Sequence, residues 1–139
     1  MSADGMSDIR AAGWWSVERA RPTERAVIGA PKRGRRPVDP MAAARPIVHD
    51  RSKGMCERCC AERATDMHHR QLRRHGDHQP ANLVDLCRTC HNWAHGNPAE
   101  ARKAGFIVSG SVDPRTVPLE HGLYGRVRLD DKGGWELAA

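Results

Sequence analysis

The sequence predicts a small α+β module whose apolar core is too thin to hold itself together, and three observations lead there. The chain has 139 residues, of which 39% are apolar and 4% aromatic, so one domain with a modest core is expected. Its strand-like and helix-like stretches are short and interspersed, with no internal repeat. Its paired cysteines, Cys56-x-x-Cys59 and Cys87-x-x-Cys90, are the kind of staple that such a chain needs, as a disulfide or a metal site. No run of eighteen apolar residues is present, so no membrane span is expected. The opening MSADGMSDIRAAGWW lacks the apolar run of a secretory signal, which predicts a cytoplasmic chain. Thiols stay reduced there, and paired cysteines then favour metal over disulfide.

Residues 1–45 are expected to form a basic arm without stable structure, being rich in Ala, Arg, Pro and Gly and lacking sustained periodicity. They carry nine Lys/Arg against five Asp/Glu, which accounts for most of the net charge of +6. The densest cluster is Lys32, Arg33, Arg35 and Arg36. Such an arm suits a polyanion, since neutralising phosphates releases counterions, and it equally suits a solvated tail that keeps the chain soluble. Trp14 and Trp15 stand out in it, either anchoring a short helix or forming a local turn.

Residues 46–97 carry the chemistry. Pro46 to Arg51 lead through Gly54 into the first cysteine turn. Thr65 to Leu72 reads as a short strand, Arg73 to Asn82 as a loop with Gly76 and Pro80, and Leu83 to Leu86 as a second strand. Cys90 to His95 opens a helix that Gly96 ends. In residues 98–139, a second helix is expected from Asn97-Pro98-Ala99-Glu100 to about Ala104, with Asn97 as its cap and Gly105 as its stop. Phe106 to Ser109 and Gly125 to Leu129 look like short strands, completing a small α/β appendage packed on the module.

Zinc takes a tetrahedral ligand set, and each Cys-x-x-Cys turn supplies two sulfurs. Twenty-seven residues separate Cys59 from Cys87, room for a hairpin. Cys56, Cys59, Cys87 and Cys90 are therefore expected to hold one structural Zn2+, the two-residue spacing favouring Cys59 over Cys60. The histidines need another explanation, since four thiolates already saturate that ion. His91 and His95 lie four apart on one helical face, and His68 can complete a three-imidazole set across the hairpin. Three protein ligands leave positions open for water and phosphate, as in a catalytic metal centre. A neutral imidazole at His69 is then suited to take a proton from water. Each histidine alone has a plainer reading as a surface or structural group; four beside two cysteine turns are poorly explained that way.

Cys56-Glu57-Arg58-Cys59, Met67-His68-His69-Arg70, the run from Asn82 to His91, and His95 together resemble the HNH endonucleases. These are the ββα-metal or His-Me finger nucleases with a treble-clef-like zinc-knuckle frame. That family has His-His, a central Asn, a His, and another His four residues on; here the steps are thirteen from His69 to Asn82, nine to His91 and four to His95. The resemblance covers residues 55–96. More weakly, Ala104 to Val108, Asp113-Pro114 and Gly133-Gly134-Trp135 are similar to small HNH proteins of actinobacteriophages. The resemblance implies a DNA endonuclease that hydrolyses phosphodiester bonds, by nicking or double-strand cleavage, with one divalent cation (Mg2+, Mn2+, Ni2+ or Zn2+). It implies that His69 is the general base, that His68, His91 and His95 ligate the cation, and that Asn82 ties down the loop positioning His69. It also suggests a role in phage DNA packaging beside a terminase.

Two departures stand out. Many relatives have Gly after the first cysteine pair, where this chain has Cys60-Ala61. The loop before Asn82 includes His75-Gly76-Asp77-His78, whose extra histidines either lie on the loop surface or touch metal or substrate. Asp66 is either a carboxylate behind a ligating His or an exposed strand-end charge. Arg70, Arg73 and Arg74 flank the expected base, either gripping phosphates or lying in a solvated loop. A non-catalytic zinc module that binds nucleic acid or protein would explain the cysteines and the arm, but not the histidine spacing. A zinc deaminase is excluded because neither cysteine pair follows a proline and no His-x-Glu is present.

Overall fold

Helix α1 (Ala44–Ser52) is the first element of the computed structural model, which describes Gly34 and residues 38–74 and 77–139. The cations Lys32, Arg33, Arg35 and Arg36, the pair Trp14 and Trp15, and His75 lie outside the described residues. The boundary expected after residue 45 falls inside α1, because Met41, Ala44 and Val48 bury one face against Leu83. Pro46 sits in the first turn, where its missing N–H would have no helical partner anyway. Asp39 ties the entry down, accepting from the Met41 N–H at 3.0 Å and Arg45 Nε at 2.9 Å.

After the first cysteine turn come β1 (Asp66–His69) and β2 (Leu83–Leu86), which pair antiparallel with His68 opposite Val84 and His69 opposite Leu83. Strand β1 is shorter than the expected Thr65–Leu72, because the facing segment enters the 3-10 turn Pro80–Asn82 and the Asn82 side chain, not a strand carbonyl, accepts the Gln71 N–H. Helix α2 (Arg88–Gly96) follows at once, its N-terminus capped by the Cys87 sulfur, and α3 (Pro98–Lys103) follows it. Asn97 does not cap α3; its side chain reaches back to the Trp93 carbonyl at 3.1 Å.

The C-terminal residues form a three-stranded antiparallel sheet, β3 (Leu119–His121), β4 (Gly125–Leu129) and β5 (Trp135–Leu137), in the order β3-β4-β5. Its Leu119, Val127 and Leu129 join Val84, Leu86, Ala94 and Phe106 in one core cluster. The expected strand Phe106–Ser109 does not form. Its Phe106 N–H bonds the Ala101 carbonyl and its Val108 N–H bonds the Arg70 carbonyl, so no neighbouring strand can pair with it. Gly105 is obligatory at the turn before it, because φ is +81° and a Cβ would come within 2.0 Å of the Pro118 carbonyl oxygen.

Buried charge supplements this small core. Arg51 and Glu57 form a two-pronged ion pair, at 2.7 and 2.9 Å, with side chains 2% and 1% exposed. Arg51 also donates to the Pro80 and Leu83 carbonyls, and Glu57 accepts the Asp85 N–H. Buried Asp85 accepts from His49 Nδ1 and Ser52 Oγ. Helix α1, the first cysteine turn and β2 are thereby locked together with nearly every polar atom matched. Breaking such a pair leaves a buried charge uncompensated. Arg51→Met is therefore expected to cost about 3–5 kcal/mol, measured by urea denaturation of zinc-loaded protein.

Candidate metal centres

The two cysteine turns meet at one point. The four sulfurs of Cys56, Cys59, Cys87 and Cys90 lie within 4.8 Å of one another, with Cys59 and Cys87 at 4.0 Å. A tetrahedral zinc with bonds of about 2.3 Å sets its sulfurs about 3.8 Å apart, so the cluster fits a structural metal such as zinc. Burial pushes Cys90 up to about 12 and raises Cys56. At Cys59 burial also raises the thiol, but the Ala61 and Glu62 N–H groups outweigh it and bring the value down to about 7. Buried thiols of this kind ionise when a cation supplies the missing charge. Arg58 braces the site, its guanidinium 3.6 Å from the Trp93 ring centroid and its Nη1 3.3 Å from Cys90 Sγ.

Cys60 stays out of the cluster, 3.8 Å from His121 Nδ1. Its φ is +53°, a left-handed conformation that costs an L-residue energy and glycine little. That explains physically why a glycine suits this position.

Three imidazoles make a second cluster. One ring nitrogen from each of His68, His91 and His95 lies within 4.8 Å of the others, and the Nε2 atoms of His91 and His95 are 3.0 Å apart. His68 Nε2 donates to the Phe106 carbonyl at 2.8 Å, which leaves Nδ1 to face the other two rings. A metal-binding imidazole commonly donates its second nitrogen to a carbonyl in this way. Behind His91, Asp66 Oδ2 stands 3.4 Å from Nδ1, near enough to polarise it but long for a hydrogen bond. That nitrogen is buried and otherwise without a partner. Asp66 itself is held by Arg88 at 2.8 Å, so it is a carboxylate behind this cluster and not a free strand-end charge. Burial lowers His68 to about 4, against the opposing pull of the Phe106 carbonyl, and lowers His91 as well. Both are neutral at pH 7, the form that binds metal. These residues fit a divalent cation.

His69 follows on β1, and alternation along the strand turns it away from the three-imidazole cluster. Burial, with help from the charges of Arg73 and His78, lowers it to about 4. Its Nε2 meets His78 Nδ1 at 3.0 Å, so His78 touches a candidate functional group and is not idle loop surface. Buried Asn82 brackets the intervening loop, accepting the Gln71 N–H at 2.9 Å and donating to the Asp77 carbonyl at 2.8 Å. Arg73 and Arg74 are exposed beside this loop.

Arg70 is a correction. It was expected to be free for phosphates, but it is 1% exposed and donates to the Gly105, Ala81, Pro114 and Val117 carbonyls. It follows β1 directly and keeps the inward-facing parity of His68 two residues earlier, and that parity was the clue available in the sequence, where Thr65–Leu72 reads as one strand. The Arg51–Glu57 clamp and the His69–His78 contact were also missed, since separations of six and nine residues across turns match no helix or strand period.

Comparison with protein-family models, curated proteins and solved structures finds no match to this chain. Among the described residues no helix is long and apolar enough to cross a membrane.

Removing a thiolate should abolish zinc binding, and folding with it, since the core is small. Cys87→Ser, or strong chelation of the wild type, is expected to collapse the circular dichroism and the thermal transition together. Cys60→Gly should act oppositely. Relief of a left-handed strain of roughly 1–2 kcal/mol, less the extra chain entropy of glycine, predicts a gain of up to about 1 kcal/mol in thermal unfolding.

Proposed function

We propose that this chain is a metal-dependent DNA endonuclease of the HNH type, with β1, β2 and α2 as its ββα-metal unit. One observation carries the reading. Three imidazoles converge from β1 and α2, while a fourth, His69, is presented separately from the next position of β1. A site meant only to grip a structural ion gives no reason for that fourth group.

His68, His91 and His95 would hold a divalent cation (Mg2+, Mn2+, Ni2+ or Zn2+), which would supply Lewis acidity for phosphodiester hydrolysis. His69 takes the proton of the attacking water at a ring nitrogen. Its low basicity keeps it unprotonated and ready at neutral pH. Asn82 holds the loop between Gln71 and Asp77, and so limits how far the surroundings of His69 can move. Arg73 and Arg74 supply exposed positive charge for the DNA backbone, and Lys32, Arg33, Arg35 and Arg36 of the arm add four cations to the chain's affinity for a polyanion. Among the described residues no element suited to reading base edges accompanies the site, so cleavage with little sequence preference is the expected activity. A place in phage DNA packaging beside a terminase is the biological setting we propose.

Metal titration by calorimetry, paired with plasmid nicking, tests the assignment of roles. His69→Ala should abolish cleavage while the second metal still binds. His68→Ala, His91→Ala and His95→Ala should weaken that metal at least roughly tenfold, since losing a direct ligand exceeds the loss of an orienting partner. None of the four should release the thiolate-bound zinc. If His69→Ala loses the metal and His68→Ala keeps it, their roles are exchanged. If all four variants keep metal and activity, these histidines do not carry the chemistry and this reading of the site is wrong; if the wild type cuts no DNA with any of the cations, the protein is a non-catalytic zinc module.

A further inference from the structure

His69 is hydrogen-bonded to another imidazole and to none of the groups around the three-histidine cluster. Its Nε2 faces His78 Nδ1 at 3.0 Å, with the rings edge to face at 78°. With both rings in the neutral form, a contact of this kind holds one proton between those nitrogens, which permits two arrangements. If His78 donates, His69 accepts at Nε2 and carries its own proton on Nδ1, and it has no lone pair left for water. If His78 accepts, His69 keeps its proton on Nε2 and offers the Nδ1 lone pair. Only the second arrangement makes His69 a base.

A base at His69 requires that arrangement, and His78 Nδ1, 3.0 Å away, is the acceptor that allows it. The backbone holds His78 in place. Asn82 Nδ2 donates to the carbonyl of Asp77, the preceding residue, and the Asp77 carboxylate accepts the N–H of Gln79, the following one. Asn82 therefore reaches His69 through His78.

We propose that His78 is a positioning residue: it accepts the His69 Nε2 proton and so holds His69 in the tautomer whose Nδ1 can take a proton from water. The assignment rests on the nuclease reading of the site. A neighbouring imidazole thus takes the place that a backbone carbonyl or carboxylate fills behind many catalytic histidines.

The test uses full-length, zinc-loaded protein and two readouts. Long-range 15N–1H spectra report which nitrogen of His69 carries the proton, and plasmid nicking with Mn2+ or Mg2+ gives kcat and KM. The wild type should show His69 protonated at Nε2. His78→Leu should mix the tautomers and lower kcat roughly tenfold to a hundredfold with KM unchanged. His78→Asn, whose Oδ1 can accept in place of Nδ1, should restore both. The assignment is overturned if wild-type His69 is protonated at Nδ1, or if His78→Leu leaves tautomer and kcat unchanged. A wild type with the Nε2 proton that cuts no DNA overturns the nuclease reading alone; one that cuts with the proton on Nδ1 overturns this assignment alone.

Discussion

The register between β1 and β2 is the constraint on which the rest depends. His68 opposite Val84 and His69 opposite Leu83 send the two adjacent imidazoles to opposite faces of a two-stranded ribbon. A slip of one residue would exchange them, turning His69 toward α2 and His68 toward the loop. The same register puts Asp66 behind His91 and Arg70 into the interior. A two-stranded ribbon of four residues a side is marginal alone, so the register must be fixed from outside it.

Buried charges do the fixing. On one side Glu57 accepts the Asp85 N–H and pairs with Arg51, binding β2 to the first cysteine turn and to α1. Beyond the end of β1, Arg70 threads between the 3-10 turn at Pro80–Asn82 and the segment leading to β3, joined to both through carbonyls. Burial lowers Arg70 to about 10, still charged at neutral pH, and its four acceptors are all backbone oxygens. An apolar core of this size leaves many backbone groups needing partners, and two arginines donate to six backbone carbonyls among strands, turns and loops. Position-specific donors of this kind also resist slippage, because a shifted strand would leave each of them unmatched.

What the sequence made legible was whatever is written locally. The two Cys-x-x-Cys turns, the His91–His95 spacing, β2 and the Pro98 start of α3 are short-range patterns, and the structure places them where those patterns point. Helix α1 was not legible, because Pro46 and scattered polar residues give it almost no amphipathic pattern. It is held by partners outside the helix, Arg51 with Glu57 of the first cysteine turn and His49 with Asp85 of β2. Phe106–Ser109 misled for the opposite reason. Its composition is strand-like, but its backbone groups are used by α3, Arg70 and His68. Among the candidate site residues, Arg70 was misjudged because a cation near a histidine pair suggests phosphate, while its strand parity pointed inward.

The two clusters are chemically separate yet mechanically joined, and the joint is the first turn of α2. Cys87 caps that helix and Cys90 lies in its first turn, while His91 is the very next residue and His95 follows one turn later. Anything that fixes the sulfurs therefore fixes the origin and direction of the helix carrying two of the three imidazoles. The dependence runs one way. A structural ion at the thiolates organises the histidine site, whereas removing an imidazole at His91 or His95, which are less buried than Cys90, leaves the thiolate geometry in place. His68 closes the loop from the other strand, because its Phe106 contact ties the imidazole cluster to the segment after α3, and Phe106 in turn packs edge-on to Trp93 of α2. The helix is thus anchored at its start by sulfur and along its length by an aromatic pair. A chain with little core can thereby hold three imidazoles at one point without a covalent link among them.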